Sequence, residues 1–194
     1  MTNRWRDWYY ILAVLLLMAL VELINMSTGR ILNQYSIVPR DLSQIIFIIT
    51  SPLLHGSLSH FLSNLLPFTV LSFLLLEFGL KRYLMVSALL VVTSGTLVWL
   101  FAREAYHLGA SGVLYGYFAY LILAGFLSRR LWLAVISLIV LFFYGGMIWG
   151  VLPTNTYISW ESHLFGFLCG LILAWVFRAK PSASKFEVKN RYLE

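Results

Sequence analysis

The sequence predicts an all-α integral membrane protein, folded as a compact bundle of six transmembrane helices. Of its 194 residues, 60% are hydrophobic and 11% are charged. Soluble domains average about 45 to 50% hydrophobic residues and about 25% charged residues. Six apolar segments alternate with polar or basic connections. In a six-span arrangement, most basic residues fall on one side of the membrane, as expected for a spanning protein.

The six apolar segments approach the length of about 20 residues that a spanning helix needs. They are Trp8–Met26, Phe61–Phe78, Tyr83–Ala102, Val113–Leu127, Leu131–Val151 and Trp160–Phe177. The fourth is the shortest, because about fifteen residues follow Ser111 and would span about 23 Å at 1.5 Å per residue. We therefore expect this helix to begin below the outer surface of the membrane.

The longest connection, about residues 27–59, contains the apolar stretch Ile45–Ile49. Long loops in compact domains usually carry function or structure of their own, and we expect this one to lie in the outer interface. Residues 179–194 are polar and predict a basic, solvated tail. The predicted organisation is a six-helix membrane domain over residues 1–178, followed by a cytoplasmic tail over residues 179–194.

Charge distribution predicts the orientation of the bundle. With the N-terminus in the cytoplasm, eleven Lys and Arg residues lie inside, and three, Arg30, Arg40 and Arg103, lie outside. This asymmetry follows the positive-inside rule and predicts that both termini are cytoplasmic. The inner basic residues are expected to set topology and to contact anionic membrane lipids. No nucleic-acid partner is predicted from them.

Polar residues of three segments are predicted to meet near the outer face. The second, fourth and sixth segments all descend from that face, so their first turns lie at similar depth. These turns contain His60 and Asn64, Ser111, and His163, respectively. Polar side chains at membrane depth normally face the protein interior or a water-filled cavity. We therefore expect a shared polar cavity open to the outer side.

Two pairs of glycines indicate which helices touch. Gly112 and Gly116 lie one turn apart on the fourth segment, and Gly166 and Gly170 do so on the sixth. Small residues at this spacing allow close approach of helices in lipid. Packing through these two faces would bring the neighbouring serine and histidine of the two segments together.

The converging residues have the chemistry of acyl transfer. A serine hydroxyl needs a base within hydrogen-bond reach, and His163 is the candidate base for Ser111. The tetrahedral intermediate also needs hydrogen-bond donors aimed at its oxyanion. Candidates are the Ser111 backbone N–H, the Asn64 amide and the His60 ring.

No acidic residue is placed to complete a triad with His163. Glu161 is two residues away and points to nearly the opposite helix face; we expect it to favour the helix dipole, with Ser159 as the helix cap. A Ser-His dyad, with an aromatic ring holding the imidazole, is therefore preferred. His107 is expected to be solvent-exposed, and Glu22 either to hydrogen-bond to the long loop or to reach the interface.

At these residues the chain resembles the rhomboid intramembrane serine proteases in their minimal six-span bacterial form. The resemblance is carried by three motifs, His55-xxxx-His60-xxx-Asn64, Gly109-x-Ser111-Gly112-xxx-Gly116 and His163-xx-Gly166-xxx-Gly170. It implies that Ser111 is the nucleophile, that His163 is the general base, and that His60 and Asn64 line the oxyanion hole. It also implies that Tyr115 packs against the catalytic histidine and that His55 has a structural role in the loop.

The resemblance further implies a serine endopeptidase that cleaves transmembrane segments near the outer leaflet of a bacterial plasma membrane. No cofactor and no metal is expected, and the partners are transmembrane protein substrates and membrane lipids. The active site is expected to open to the periplasmic or extracellular side. Two positions depart from the family pattern: Ile46 and Phe47 replace a Trp-Arg pair common in the first loop, and Ser162 replaces an alanine.

Three other readings remain open. A non-catalytic rhomboid-like protein would bind membrane segments, but loss of the serine or histidine would be its expected mark. A small transporter fits poorly, because the polar residues lie toward one face and no inverted repeat is evident. A zinc site from His55, His60 and His163 is conceivable, although no ligand spacing requires it. The natural substrate and the oligomeric state do not follow from the sequence.

Overall fold

The computed structural model of the chain describes residues 4–154 and 158–178 and consists mainly of helices. Its six α-helices are α1 Arg4–Ser27, α2 Leu58–Leu76, α3 Leu80–Phe101, α4 Ser111–Leu127, α5 Leu131–Tyr144 and α6 Trp160–Val176. Across the described ranges, extended backbone pairs at the isolated Ile37 to His107 bridge and forms no strand. The all-helical prediction is therefore confirmed, whereas the predicted tail over residues 179–194 lies outside the described residues.

Four helical stretches are long and apolar enough to cross a membrane. They are Arg6–Ser27, Leu58–Leu76, Leu80–Phe101 and Leu131–Val151. The remaining two, α4 and α6, are apolar but have 17 residues each. At 1.5 Å per residue each is about 25 Å long, which is less than the hydrocarbon thickness of about 30 Å.

The predicted fifth helix differs from the structure in its second half. The α-helix ends at Tyr144, and Gly145–Val151 continues as a 3-10 helix. Adjacent Gly145 and Gly146 explain the change, because glycine is among the least favourable residues within an α-helix. Gly150 of this segment is half-buried and lies next to Tyr115 of α4 and His163 of α6.

The start of α2 and the end of α1 follow local capping rules. The Ser57 side chain accepts a hydrogen bond from the His60 N–H at 3.0 Å, so α2 begins three residues earlier than predicted. At the end of α1, Gly29 N–H donates to Met26 O and Arg30 N–H donates to Asn25 O. These two bonds form a Schellman motif, with Gly29 at a φ of 63° in its left-handed position.

The long first loop is ordered by three 3-10 helices, Ile31–Tyr35, Leu42–Ile48 and Ser51–Leu53. Side chains tie it to α3: Trp99 Nε1 donates to Asp41 O at 2.9 Å, and Arg40 Nη1 donates to Ala102 O at 2.7 Å. Ile45, Ile46 and Ile49 remain exposed. The ordered loop therefore has an exposed apolar edge.

Helix α4 is the centre of the bundle, with most of its residues buried. It packs against α2, α3, α5 and α6, and its contact with α6 is the most extensive. A Cβ added to Gly166 would collide with the Gly112 carbonyl oxygen, and one added to Gly170 would collide with that of Gly116. The predicted packing of the two glycine faces is therefore confirmed.

Candidate active site

A single open cavity of about 880 Å³ receives the polar residues that the sequence singles out. His60, Asn64, Ser111, Tyr115 and His163 all line it. They come from the N-terminal parts of α2, α4 and α6. The shared cavity predicted for His60, Asn64, Ser111 and His163 is therefore present. Its polar lining residues come from three helices, α2, α4 and α6, and from the loops beside them.

Ser111 is the first residue of α4 and is buried in the cavity wall. Gly109 precedes it with a φ of 113°, a backbone conformation that an L side chain rarely adopts. A Cβ at Gly109 would also lie only 2.8 Å from His60 Nε2. Glycine at this position therefore allows both the turn into α4 and the approach of the His60 ring to the start of the helix.

His163 is held between an aromatic ring and a backbone carbonyl. Its imidazole stacks on Tyr115 with the ring centroids 4.1 Å apart and the planes 6° apart. Nδ1 lies 2.9 Å from the Gly150 carbonyl oxygen. Because a carbonyl oxygen only accepts, Nδ1 carries the proton of this bond, and Nε2 of the neutral ring keeps its lone pair.

The contact of α4 with α6 places Ser111 and His163 at the same height along the two helices. Their chain neighbours define this contact: a Cβ at Gly112 would lie 3.3 Å from the Ser162 carbonyl oxygen. Both side chains line the same cavity from these adjacent helix starts. The arrangement can bring a hydroxyl and an unprotonated imidazole nitrogen to one substrate carbonyl.

Two residues of α2 complete the polar wall. Asn64 is buried and donates from Nδ2 to the His60 carbonyl at 2.8 Å, while its amide carries a second N–H. His60 Nδ1 accepts a hydrogen bond from the Gly56 N–H at 3.4 Å. The neutral His60 ring therefore has its proton on Nε2, the nitrogen that lies beside Gly109.

His55 lies behind this wall in the first loop and is fully buried. Its ring makes edge contacts with His60, at a centroid distance of 5.1 Å, and with Phe61, at 5.3 Å. Burial, together with the charges of His60 and Arg30, lowers the pKa of His55 from 6.5 to about 3. His55 is therefore a neutral packing group in this structure, and it is not one of the residues that line the cavity.

His107 is buried, so the prediction that it is solvent-exposed was wrong. Its backbone pairs with Ile37, and its carbonyl accepts a hydrogen bond from Ser51 Oγ at 2.5 Å. Nδ1 of its ring lies 2.5 Å from Ser159 Oγ, and Nε2 lies 2.9 Å from the Arg103 carbonyl. Burial lowers the pKa of His107, which favours the neutral ring.

Ser159 does not cap α6 as predicted. Its hydroxyl instead bonds His107 and the Ser162 hydroxyl, the latter at 2.6 Å. Ser162, which departs from the family pattern, is thereby connected to the loop before α4. Glu161 is buried beside Arg103, with Oε1 3.4 Å from Nη1, and does not hydrogen-bond His163. The prediction against a carboxylate triad agrees with this geometry.

Gly150 was missed by sequence reasoning, although it supplies the carbonyl that orients His163. A backbone oxygen has no residue-type signature, so the histidine motif could not reveal it. Only the structure shows why the position is glycine: a Cβ at Gly150 would collide with the Tyr115 hydroxyl and lie 3.4 Å from His163 Nδ1. The His55, His60 and His163 zinc hypothesis gains no support, because the described residues contain no cluster of three or more suitable ligands.

The fold and the cavity define a class of protein: helical and multi-pass in the membrane, with a serine and a histidine facing one cavity from adjacent short helices. A family model described as Rhomboid domain matches residues 42–180. The chain therefore belongs to the rhomboid family. The match begins within the first loop, at residue 42, and includes every residue that lines the cavity.

The chain is also similar to proteins of mycobacteria. An uncharacterized protein of Mycobacterium tuberculosis is 34% identical over 178 residues, covering 87% of this chain and 74% of the relative. An uncharacterized protein of Mycobacterium leprae is 33% identical over 191 residues, covering 92% of this chain and 76% of the relative. These similarities extend through most of the chain and carry no assigned activity.

Proposed function

We propose that the protein is an intramembrane serine endopeptidase that cleaves transmembrane segments with a Ser111-His163 dyad. One observation carries the proposal. His163 shares the cavity with Ser111, and its Nδ1 proton is bound to the Gly150 carbonyl, so that Nε2 is available as a base. The Tyr115 stack holds the ring in this orientation without a carboxylate.

In the first half of the reaction, Ser111 Oγ attacks the carbonyl carbon of the scissile peptide, and its proton passes to His163 Nε2. The resulting oxyanion accepts hydrogen bonds from the Ser111 backbone N–H, His60 Nε2 and the Asn64 amide. The C–N bond then breaks, and His163 returns the proton to the leaving amine. The products are an amine and an acyl-enzyme on Ser111.

In the second half, a water molecule attacks the acyl-enzyme, and His163 removes its proton. Collapse of this second tetrahedral intermediate breaks the ester, and the same proton returns to Ser111 Oγ. A carboxylic acid is released and the enzyme is restored. The reaction therefore needs water at the cavity, and the open side of the cavity supplies it.

The substrate class follows from membrane physics. A transmembrane helix satisfies its backbone hydrogen bonds internally, so its carbonyls are shielded from attack. Cleavage is therefore expected in transmembrane segments that unwind easily near the outer boundary of the membrane because they carry small or helix-destabilising residues there. Transmembrane proteins are the proposed substrates, and membrane lipids surround the enzyme.

We further propose six spans, with α4 and α6 crossing as short central helices. They lie within a bundle whose longer helices meet the lipid, so that Ser111 and His163 would start below the outer surface. Both termini would be cytoplasmic in a bacterial plasma membrane, with residues 1–178 as the membrane domain and 179–194 as the tail. A reporter fused after Glu194 should be active in the cytoplasm, and a periplasmic signal would contradict six spans.

The nucleophile is tested with purified protein in detergent and a fluorophosphonate probe that labels activated serines. Wild type and Ser128→Ala, at the opposite end of α4, should be labelled, whereas Ser111→Ala should not. His163→Ala should reduce labelling by at least about 10². Labelling that persists in Ser111→Ala would refute the nucleophile assignment.

Proteolysis is tested on a model transmembrane substrate in liposomes, with the cleaved bond located by mass spectrometry. Wild type should cut within the outer part of the segment, and Ser111→Ala should leave it intact. A substrate that binds the wild type but stays uncleaved after prolonged incubation would instead support the alternative, a non-catalytic protein that binds membrane segments.

A further inference from the structure

Arg30 occupies a specific position at the outer end of α1. It directly follows Gly29 of the Schellman turn and is itself in the left-handed conformation, at a φ of 66°. Its guanidinium turns back to Glu22, two turns down the helix, with Nη2 to Oε1 at 2.8 Å and Nη1 to Oε2 at 3.2 Å. Glu22 is 2% exposed. Of the two alternatives expected for Glu22, the structure shows the hydrogen bond to the long loop, with Arg30 as its partner.

The same guanidinium binds a backbone carbonyl of the first loop. Arg30 Nη1 donates to the His55 oxygen at 2.6 Å, and Asn25 Nδ2 donates to that oxygen at 3.4 Å. Asn25 is itself fully buried and held by Asn33 and by the Leu32 N–H. Two fixed donors from the end of α1 therefore hold the carbonyl end of the peptide between His55 and Gly56.

The amide end of this same peptide contacts the candidate oxyanion donor. The peptide that presents its oxygen to Arg30 presents the Gly56 N–H to His60 Nδ1. Because a trans peptide is planar, its C=O and N–H point in opposite directions and turn together. Holding the oxygen therefore fixes the direction of the N–H toward His60.

The positive charge of Arg30 also favours the hydrogen bond from the Gly56 N–H to His60. A cation on the carbonyl oxygen polarises the peptide and makes its N–H a stronger donor. A stronger donor at His60 Nδ1 favours the ring tautomer with the proton on Nε2. The His55 ring, in edge contact with His60, limits rotation of the imidazole. Together these contacts present an N–H at the position beside Gly109.

We propose that Arg30, held by Glu22, is a positioning residue for His60. Through the peptide between His55 and Gly56, it fixes the tautomer and direction in which His60 donates to the oxyanion. This inference rests on the proposed proteolytic function. Arg30 itself does not line the cavity, so its proposed effect on the reaction passes through His60.

The first test is kinetic. In Arg30→Met, kcat on a transmembrane substrate should fall about 10-fold to 100-fold, which is less than the loss caused by removing an oxyanion donor altogether. KM should change less than about twofold. Arg30→Lys keeps the charge and should recover part of the loss. Arg40→Met is the matched control, because Arg40 also has a left-handed φ of 63° and donates to a backbone carbonyl, that of Ala102 at the end of α3. It should retain wild-type kcat.

A double-mutant cycle then separates positioning from general destabilisation. If Arg30 acts through His60, Arg30→Met should cost less than about twofold in kcat when made in a His60→Ala background. An undiminished loss in that background would overturn the proposal. Because Arg30→Met leaves Glu22 buried without its cation, the pair Glu22→Gln with Arg30→Met provides a second variant with less electrostatic cost.

The decisive readout does not depend on activity. In protein labelled with ¹⁵N-histidine, the His60 signals, assigned with His60→Ala, should report a protonated Nε2 and an unprotonated Nδ1. Arg30→Met should shift this tautomer balance, and Arg40→Met should not. A His60 tautomer unchanged in folded Arg30→Met refutes the positioning role. Lack of Ser111 labelling in wild type would refute the proposed function alone.

Discussion

Tyr115 and His163 lie face to face, with their ring centroids 4.1 Å apart and their planes only 6° apart. The hydroxyl end of Tyr115 lies next to Gly150, whose carbonyl accepts the His163 Nδ1 proton. Three elements, α4, the 3-10 segment after α5, and α6, thus meet at one imidazole. A stacked ring and a carbonyl orient the proposed base, as a carboxylate does in a Ser-His-Asp triad.

Removal of the aromatic face at Tyr115 should lower kcat. Stacked aromatic pairs contribute about 0.5 to 1.5 kcal/mol, so Tyr115→Leu should reduce kcat up to about tenfold through a less oriented His163. Tyr115→Phe keeps the stack and should stay within about twofold of wild type. The measurement is kcat and KM on a liposome-embedded substrate. Equal losses in the two variants would show that the hydroxyl, not the ring face, is the important group.

A methyl group at Gly150 should displace the imidazole. In Gly150→Ala the new Cβ would collide with the Tyr115 hydroxyl, and the carbonyl that holds His163 must move. Misplacement of a catalytic group by about 1 Å costs about 10² in rate, so fluorophosphonate labelling of Ser111 should slow by that order. Gly146→Ala is the control, because nothing lies within 4 Å of its added Cβ. Wild-type labelling rates in Gly150→Ala would contradict the role of this carbonyl.

Sequence periodicity and topology predicted much of this site. Ser111, His163, His60 and Asn64 line one cavity because their helices start at the same level, which hydropathy and charge alone indicate. Tyr115 required the family resemblance. The structure places it on the His163 ring as that resemblance implied.

Contacts made by the backbone or between distant segments could not be predicted in this way. The Gly150 carbonyl has no side chain to mark it. His107 was expected in solvent because it lies in a short loop between two helices, but pairing with Ile37, seventy residues earlier, buries it. Ser159 has the sequence of a helix cap, yet the nearby His107 ring takes its hydroxyl. In each case a long-range partner outweighed the local preference.

The helix pair that aligns the dyad should be sensitive to size at Gly166. A Cβ in Gly166→Ala would collide with the Gly112 carbonyl oxygen, so α4 and α6 must separate. Overpacking of this kind costs about 1 to 3 kcal/mol, and the thermal midpoint in detergent should fall. Gly145→Ala, whose Cβ would make an ordinary 3.8 Å contact with Leu141, should leave the midpoint near the wild-type value. Equal midpoints for the two variants would argue against tight packing at Gly166.

Acid should destabilise the protein through His55. Its pKa is about 3 in the folded chain and 6.5 as a free side chain, because burial and the charges of His60 and Arg30 oppose protonation. Between these two pH values the unfolded state binds more protons than the folded state. The contribution of neutral His55 to the free energy of unfolding is therefore fully present above about pH 6.5, and it falls by up to about 1.4 kcal/mol per pH unit below that value.

The thermal midpoint of wild type should therefore decline from pH 7 to pH 5. His55→Phe, which replaces the ring by one that cannot be protonated, should show a shallower decline over the same interval, even if its midpoint at pH 7 is lower. His107 is also buried with a lowered pKa and adds to the slope of both proteins, so the difference between the two slopes isolates His55. Parallel curves would mean that protonation of His55 is not coupled to unfolding.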